Sequence, residues 1–172
     1  MTKKLIIYST TDGHTKHICD YIADRSKKKS SIELIPIEDV KNIDLSLYET
    51  IIIGASIRYG KHQPELYEFI KRNLEILKTV KASFFSVNAV ARKPNKDSPE
   101  TNPYVKKFLK LSNWQPEVLG VFAGKIDYPK YRFFDKHVIR LIMWFTKGPT
   151  DTSGVYEFTD WEKVDEYIHK VL

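Results

Sequence analysis

Near its N-terminus the chain passes from a short apolar segment through a hydroxyl-rich loop into a helical pattern, and this order restricts the possible folds more than any other feature. Residues 5–9 (Leu-Ile-Ile-Tyr-Ser) form the apolar segment, and residues 10–15 (Thr-Thr-Asp-Gly-His-Thr) form the loop. Residues 16–28 have the pattern of a helix, so the loop lies at a helix N-terminus. Because free backbone N–H groups and the helix dipole favour an anion there, the segment predicts a strand–helix unit with a phosphate site.

The composition of this loop indicates which kind of phosphate it would hold. Four hydroxyl side chains surround Gly13, whose missing side chain lets the backbone approach a ligand. The loop has neither the three spaced glycines of dinucleotide folds nor the Lys-Ser/Thr ending of a nucleoside-triphosphate loop, so it suits a monophosphate dianion. The alternative is an ordinary strand-to-helix turn capped by hydroxyls. The predicted phosphate loop consists of Ser9, Thr10, Thr11, Asp12, Gly13, His14 and Thr15.

Strand-like and helix-like segments alternate along the chain. Strands are predicted at residues 5–9, 32–37, 50–55, 82–88 and 118–124. The first and third are continuous apolar runs, as expected of strands covered on both faces. Helices are predicted from residue 15, at residues 64–78, at residues 103–111 after an N-cap at Asn102, and from a capping box at residues 159–162 to residue 171. Such alternation favours an α/β fold with a parallel sheet and helices on both faces. We expect one domain over residues 1–172, with the strand order 2-1-3-4-5 and a ligand at the carboxyl ends of the strands.

A long insertion, approximately residues 125–159, separates the fifth strand from the last helix. Segments of that length inside a compact domain are usually functional. If the segment is a helix, it is amphipathic, because Arg132, Lys136 and Arg140 share one face. The opposite face would carry the apolar residues Phe134, Val138, Leu141 and Phe145. A basic amphipathic helix with aromatic residues suits a membrane interface, and packing of the apolar face on the domain itself is the alternative.

Two further loops follow the third and fourth predicted strands and reach the same edge of the sheet. Tyr59 after the third strand suits stacking on a planar ring, and Asn88 after the fourth suits a hydrogen bond to the polar edge of that ring. Arg92 and Lys93 place two cations beside this position, where they would hold substrate carboxylates or, alternatively, form a solvated charge pair. The predicted ring-binding residues are Ala55, Ser56, Ile57, Arg58, Tyr59, Gly60, Asn88, Ala89 and Val90.

Several of these motifs resemble known flavoprotein families. Thr10, Gly13 and Thr15 have the spacing of the FMN-binding segment of flavodoxins, although Cys19 stands where that family usually has alanine. Four later segments resemble the menaquinone-dependent protoporphyrinogen IX dehydrogenase family: residues 53–60, 86–94, 101–109 and 128–132. The resemblance extends from residue 5 to about residue 161.

This resemblance implies a flavodoxin-like fold and one noncovalent FMN per chain. It also implies oxidation of protoporphyrinogen IX to protoporphyrin IX, with electrons passing to menaquinone or ubiquinone in the membrane. The flavin would carry the chemistry, so no side chain is predicted to be catalytic. A macrocycle with two propionates needs aromatic and cationic contacts, which we expect from Arg92, Lys93, Tyr128, Tyr131 and Arg132. An electron-transfer flavodoxin is the alternative.

Charge and composition narrow these possibilities. The formal net charge is +6, and residues 88–147 hold 12 Lys and Arg against 5 Asp and Glu. Such an excess suits nucleic acid, anionic lipid or an acidic small molecule, but a nucleic-acid-binding module would leave the phosphate loop without a role, so no nucleic-acid partner is expected. The single cysteine predicts neither a disulfide nor a cysteine-rich metal site, and no metal is expected. Without a membrane-spanning run or a signal-peptide pattern, the expected location is the cytoplasm, peripherally on the cytoplasmic face of the inner (plasma) membrane.

Overall fold

The computed structural model describes residues 3–26 and 31–172. Its main element is a parallel sheet with the strand order β2-β1-β3-β4-β5. The strands are β1 (Lys3–Ser9), β2 (Ser31–Pro36), β3 (Thr50–Ser56), β4 (Lys81–Asn88) and β5 (Val118–Ala123). The predicted α/β fold and its strand order are therefore confirmed.

Helices cover both faces of this sheet. They are α1 (His14–Ser26), α2 (Pro64–Leu77), α3 (Pro103–Ser112), α4 (Phe133–Phe145) and α5 (Trp161–Val171). Leu5 and Ile7 of β1 belong to one core with α2 and α3, whereas Ile6 belongs to a second core with α1 and α5. Because successive strand residues point to opposite faces, a strand buried on both sides needs a continuous apolar run. The predicted end of the first helix at residue 28 lies outside the described residues.

Side chains determine where two of the helices begin. Asn102 accepts hydrogen bonds from two backbone N–H groups in the first turn of α3, as predicted. At α5 the predicted capping box is wrong, because Asp160 and not Thr159 accepts from the first-turn N–H groups. Thr159 instead donates its hydroxyl hydrogen to the Ala123 carbonyl at 2.8 Å. This bond ties the segment before α5 to the end of β5.

The insertion forms a small ribbon and α4. β6 (Lys125–Asp127) pairs in antiparallel fashion with β7 (Val155–Glu157), and α4 lies between them in the chain. The inner side of α4 packs Ile139 and Met143 against Ile126 and Tyr128. This small core is a cluster of its own, and Phe158 packs against both it and a further cluster that contains Val121 and Ala123 of β5.

The other side of α4 carries exposed apolar side chains, and we name it the outer face. Its members share one side of the helix at helical spacing: Phe133, Phe134, Leu141, Trp144 and Phe145, which are 56–80% exposed. The interpretation that the predicted apolar face packs on the domain is therefore wrong for Phe134, Leu141 and Phe145. Among the helices of residues 3–26 and 31–172, none is long and apolar enough to span a membrane.

Candidate functional site

A cavity lies where the loops after β1, β3 and β4 meet the inner side of α4. Its position beside the ends of β1 and β3 agrees with the strand order. Most of the predicted site residues line this cavity: Thr10, Thr11, Asp12, His14, Thr15, Ser56, Ile57, Arg58, Tyr59, Gly60, Asn88, Ala89, Val90, Arg92 and Tyr131.

The phosphate loop surrounds the N-terminus of α1 and includes the buried hydroxyl of Thr15. The Gly13 N–H donates to Thr10 Oγ1 at 3.0 Å, and Gly13 has a φ of +86°, which glycine adopts without strain. Thr15 is 1% exposed, and within the described residues its hydroxyl has no hydrogen-bond partner. Because a buried polar group without a partner costs free energy, its position at a helix N-terminus indicates a ligand. The loop therefore fits a phosphate group.

Two predicted cofactor contacts lie behind the loop rather than in the cavity. The buried Ser9 hydroxyl donates to Gln63 Oε1 at 2.9 Å, and Gln63 Nε2 donates to the Thr11 hydroxyl at 3.2 Å. Ala55 is fully buried beside Ser9 in the β1–β3 register. The prediction of direct contacts is thus corrected, because strand pairing buries both residues. Gln63 was missed because the loop that it braces is distant in sequence.

Arg58 connects three segments that border the cavity. Its guanidinium lies 2.7 Å from Asp12 and 3.6 Å from Asp135 of α4. It also lies over the rings of Tyr59 and Tyr131, 5.1 and 5.2 Å from their centroids. The Tyr59 hydroxyl donates to the Asp135 carboxylate. Burial raises the pKa of Asp12, an effect that Arg58 opposes. We name Arg58, Tyr59 and Asp135 the clasp, because they fasten the first turn of α4 to the loop after β3.

The rest of the loop after β3 offers both polar and aromatic contacts. The Ser56 hydroxyl is buried and, among the residues that the structure describes, has no partner. The Ile57 N–H donates to a carbonyl of β4 at 2.9 Å, which fixes the loop. Tyr59 is 47% exposed, so its ring is accessible and the expected stacking stays a prediction. Gly54 makes room for the Phe85 ring, because a side chain at this position would collide with that ring.

Asn88 belongs to a buried polar network beneath the cavity. Its side-chain oxygen accepts from the Ala91 N–H at 3.0 Å and from the Asn102 amide at 3.1 Å. Its amide nitrogen donates to the Ser86 hydroxyl at 3.2 Å. These bonds occupy both ends of the side chain, so the predicted hydrogen bond to the cofactor edge does not fit this arrangement. Asn88 instead joins the end of β4 to the start of α3.

Arg92 lines the cavity, but its guanidinium is already hydrogen-bonded. Nη1 donates to the Ala89 carbonyl at 2.6 Å, and Nη2 donates to the carbonyl and hydroxyl of Thr146 at 3.0 and 2.9 Å. Burial lowers the pKa of Arg92. The predicted role in holding a carboxylate is therefore corrected, since Arg92 ties the end of α4 to the loop after β4. The neighbouring Lys93 does not line the cavity.

The three predicted substrate contacts of the insertion have different positions. Tyr128 is fully buried and donates to the Pro149 carbonyl at 2.7 Å, so its predicted contact with substrate is wrong. Tyr131 lines the cavity and accepts a hydrogen bond from the Asp127 N–H at 3.3 Å. Arg132 is exposed immediately before α4, outside the cavity lining. Contact with Arg132 therefore requires a ligand that extends beyond the cavity.

The cavity also has walls that the sequence did not predict. They come from α3 and the insertion: Tyr104, Lys125, Ile126, Ile139, Ile142, Met143 and Thr146. Ile139, Ile142 and Met143 recur at helical spacing, which is a signal that sequence reasoning can detect. The sequence did not show which apolar side of the helix lines the cavity, because the outer face of α4 is equally apolar.

Comparisons with known proteins agree with this fold. Residues 5–153 match the family described as Flavodoxin domain. Protoporphyrinogen IX dehydrogenase (quinone) from Escherichia coli (strain K12) is 39% identical over 170 residues, covering 98% of this chain and 94% of the relative. The Leishmania major protein of the same name is 41% identical over 167 residues, covering 96% and 72%. The crystal structure of a Lactobacillus acidophilus flavoprotein in complex with FMN shares the fold, with a TM-score of 0.51, 17% identity and coverage of 70% and 93%.

Sequence similarity and the cavity support the same class of cofactor. The match to the flavodoxin family supports a flavin. The unpartnered Thr15 hydroxyl at the N-terminus of α1 fits the phosphate of such a cofactor. The two relatives named above align with nearly the whole of this chain. The chain therefore belongs to the flavodoxin-like protoporphyrinogen IX dehydrogenase (quinone) family of oxidoreductases.

Proposed function

We propose that this protein binds one FMN noncovalently and oxidises protoporphyrinogen IX to protoporphyrin IX in haem biosynthesis, delivering the electrons to menaquinone or ubiquinone. The observation that carries this proposal is the cavity at the N-terminus of α1, with the unpartnered Thr15 hydroxyl. It occurs in a chain that is 39% identical to an enzyme with that name.

The side chains of the cavity position cofactor and substrate. A bound flavin supplies the two-electron acceptor. The phosphate loop binds the phosphate, while Ile57 and Tyr59 border the space for the ring. Porphyrinogen oxidation removes six electrons, so each product molecule requires three separate two-electron oxidations at the site. Catalysis by the protein then consists mainly of orientation and exclusion of water.

The edge of the cavity has the chemistry that a porphyrinogen needs. The exposed ring of Tyr59 and the half-buried ring of Tyr131 offer apolar contact to a macrocycle. Arg132 follows Tyr131 directly and is exposed, so it would meet a propionate that extends outside the cavity. This arrangement supports an anchoring role for Arg132, one of the three cations (Arg92, Lys93 and Arg132) that the sequence analysis assigned to the substrate.

The outer face of α4 supports contact with the membrane. Phe133, Trp144 and Phe145 are 80%, 66% and 75% exposed, an unusual density of large apolar side chains in contact with water. Arg140 on the same helix is exposed and suits anionic headgroups. A quinone dissolved in lipid requires such contact. We therefore propose peripheral attachment to the cytoplasmic face of the inner (plasma) membrane.

Anaerobic turnover tests the proposed reaction. Flavin-loaded protein is mixed with protoporphyrinogen IX and a soluble quinone, and porphyrin fluorescence is recorded against a sample from which the flavin has been removed. We expect fluorescence to rise only with the loaded protein. Flavin binding without turnover would contradict the proposed reaction and favour an electron-transfer flavodoxin. A chain that binds no flavin would contradict both functions.

A further inference from the structure

The phosphate loop provides hydroxyls and N–H groups but no cation that is ready to meet a dianion. Lys16, the first residue after the loop, lies 2.9 Å from the carboxylate of Asp20 on the same helix. Burial lowers the pKa of His14, because it disfavours the charged imidazolium. The single hydrogen of the Thr159 hydroxyl is donated to the Ala123 carbonyl. The Thr159 oxygen is therefore the acceptor in the 2.6 Å hydrogen bond with His14 Nε2. A full positive charge that neutralises the phosphate must therefore come from another segment of the chain.

Lys125 lies where the cavity and a neighbouring cleft meet. The cleft is lined by Asp12, Gly13 and His14 of the phosphate loop together with Lys125. Lys125 also lines the central cavity, and its side chain is 30% exposed. This residue of β6 thus borders both the loop and the space for the cofactor.

The ammonium group of Lys125 is only weakly engaged. Among residues 3–26 and 31–172, one carboxylate lies within 4 Å of it, that of Asp127 at 3.8 Å, which exceeds hydrogen-bond distance. Glu157 faces Lys125 across the β6–β7 pair, but its carboxylate accepts from the Trp161 indole at 3.0 Å. Lys130 in the same cleft lies closer to Asp127, at 3.4 Å, and is 70% exposed.

We infer that Lys125 binds the phosphate of the cofactor and makes the site selective for a phosphorylated flavin over an unphosphorylated one. The inference rests on the proposed function, because it concerns the same cofactor. The unpartnered Thr15 hydroxyl is an independent sign that an acceptor belongs beside this loop. An ammonium–phosphate hydrogen bond is stronger than a neutral one, so Lys125 adds the charge that the hydroxyls lack. The insertion then contributes to cofactor choice.

Flavin titrations of the apoprotein test this role. FMN and riboflavin are compared, since they differ only in the phosphate. We expect Lys125→Gln to weaken FMN binding about tenfold or more and to leave riboflavin binding within about twofold. Lys125→Arg keeps the charge and should retain most of the FMN affinity. Lys130→Gln removes a charge from the same cleft and should have little effect on either flavin.

Other outcomes would overturn the inference. Unchanged FMN affinity in Lys125→Gln, equal losses for both flavins, or an equal loss in Lys130→Gln would remove the specific role of Lys125 while leaving FMN binding intact. A salt titration of the unmodified chain does not depend on the folding of variants. FMN affinity should fall with ionic strength and riboflavin affinity should not, and a salt-independent FMN affinity would contradict the inference. A chain that binds neither flavin refutes the proposed function as well.

Discussion

At the scale of single residues, we expect the Thr15 hydroxyl to contribute to cofactor binding and not to the stability of the fold. Thr15→Val keeps the branched shape and removes a buried hydroxyl that has no partner in the described residues. We expect the free energy of unfolding of the apoprotein to stay constant or to rise by up to about 1 kcal/mol, because the lost group was unsatisfied. FMN affinity should fall about tenfold. Urea unfolding without flavin and a fluorescence titration with FMN measure the two quantities.

Thr79→Val is the matched control for this substitution. Thr79 is exposed, and its hydroxyl donates to the Ile76 carbonyl at 2.9 Å after α2. Its removal should leave FMN affinity unchanged. An unaltered dissociation constant in Thr15→Val would show that the hydroxyl does not meet the phosphate.

His62 links stability to pH through its burial. It is 3% exposed, its Nε2 lies 3.0 Å from the Ser86 hydroxyl, and burial lowers its pKa to about 3. In the unfolded chain a histidine has a pKa of about 6.5, so the unfolded state binds the proton first as pH falls. The contribution of His62 to stability is therefore complete above pH 6.5 and is lost toward pH 3, by about 1.4 kcal/mol per pH unit.

Urea unfolding at pH 7 and pH 5 checks this dependence. We expect His62→Gln to lose less stability between the two pH values than the unmodified chain does, even if it is less stable at both. His137→Gln changes an exposed histidine of α4 and should retain the original pH dependence. Identical slopes for His62→Gln and the unmodified chain would contradict the prediction.

At the scale of elements, α4 is held differently at its two ends. Its C-terminal end is tied by the part-buried hydrogen bonds from Arg92 to Thr146, whereas its first turn depends on the more exposed clasp. Asp135→Asn removes the carboxylate charge that Arg58 and Tyr59 share. Because such contacts are worth about 0.5–1.5 kcal/mol, we expect amide hydrogen exchange in the first turn of α4 to accelerate by about two- to tenfold.

Exchange in β1 serves as the internal reference for the clasp prediction. Lys136→Gln alters the next residue, which has no part in the clasp, and should leave exchange unchanged. Equal acceleration in β1 and α4 after Asp135→Asn would indicate a global loss of stability and not a local opening.

The outer face of α4 makes a prediction about lipid binding. Phe133→Ser with Trp144→Ser removes two large side chains that are 80% and 66% exposed. Burial of such a side chain in an apolar phase is worth about 1.5–3 kcal/mol, so we expect sedimentation with anionic vesicles to weaken at least about tenfold. Leu47→Ser with Leu111→Ser removes exposed leucines outside the insertion and should preserve binding.

Charge reversal provides a second arm of this experiment. Replacing Lys136 and Arg140 by Glu, with the proposed propionate anchor Arg132 left in place, should also reduce binding to anionic vesicles, and more strongly at low salt. Activity with a soluble quinone should suffer less than activity with a lipid-soluble one. Vesicle binding that is the same in both sets of variants and the unmodified chain would exclude α4 as the membrane contact.

At the scale of the whole molecule, the proposed reaction requires two substrates to use one cavity. Porphyrinogen and quinone would both approach the side bordered by Tyr59 and α4, so we expect them to exclude one another. Double-reciprocal plots at several quinone concentrations should be parallel, and excess quinone should inhibit competitively with porphyrinogen. Intersecting lines would indicate simultaneous binding and would contradict a shared site.

The sequence by itself determined the features that depend on neighbouring residues. The apolar runs of β1 and β3 predicted strands buried on two faces, and both lie at the centre of the sheet. Asn102 predicted the start of α3, and the hydroxyls around Gly13 predicted the loop at the N-terminus of α1. Each rests on backbone geometry within one element, which is why local patterns were sufficient for the fold and for the position of this loop at the N-terminus of α1.

Only the tertiary structure decided which polar and aromatic groups remain available to a ligand. Arg92 finds its partner Thr146 across 54 positions, and Asn88 finds Asn102 across 14. Tyr128 is buried, because its hydroxyl donates to the Pro149 carbonyl and its ring packs against the inner side of α4. No local pattern specifies such partners, because the hydrogen bonds of a side chain depend on residues that only the folded chain places next to it. For the same reason, packing and not periodicity decided which of the two apolar sides of α4 lines the cavity and which stays exposed.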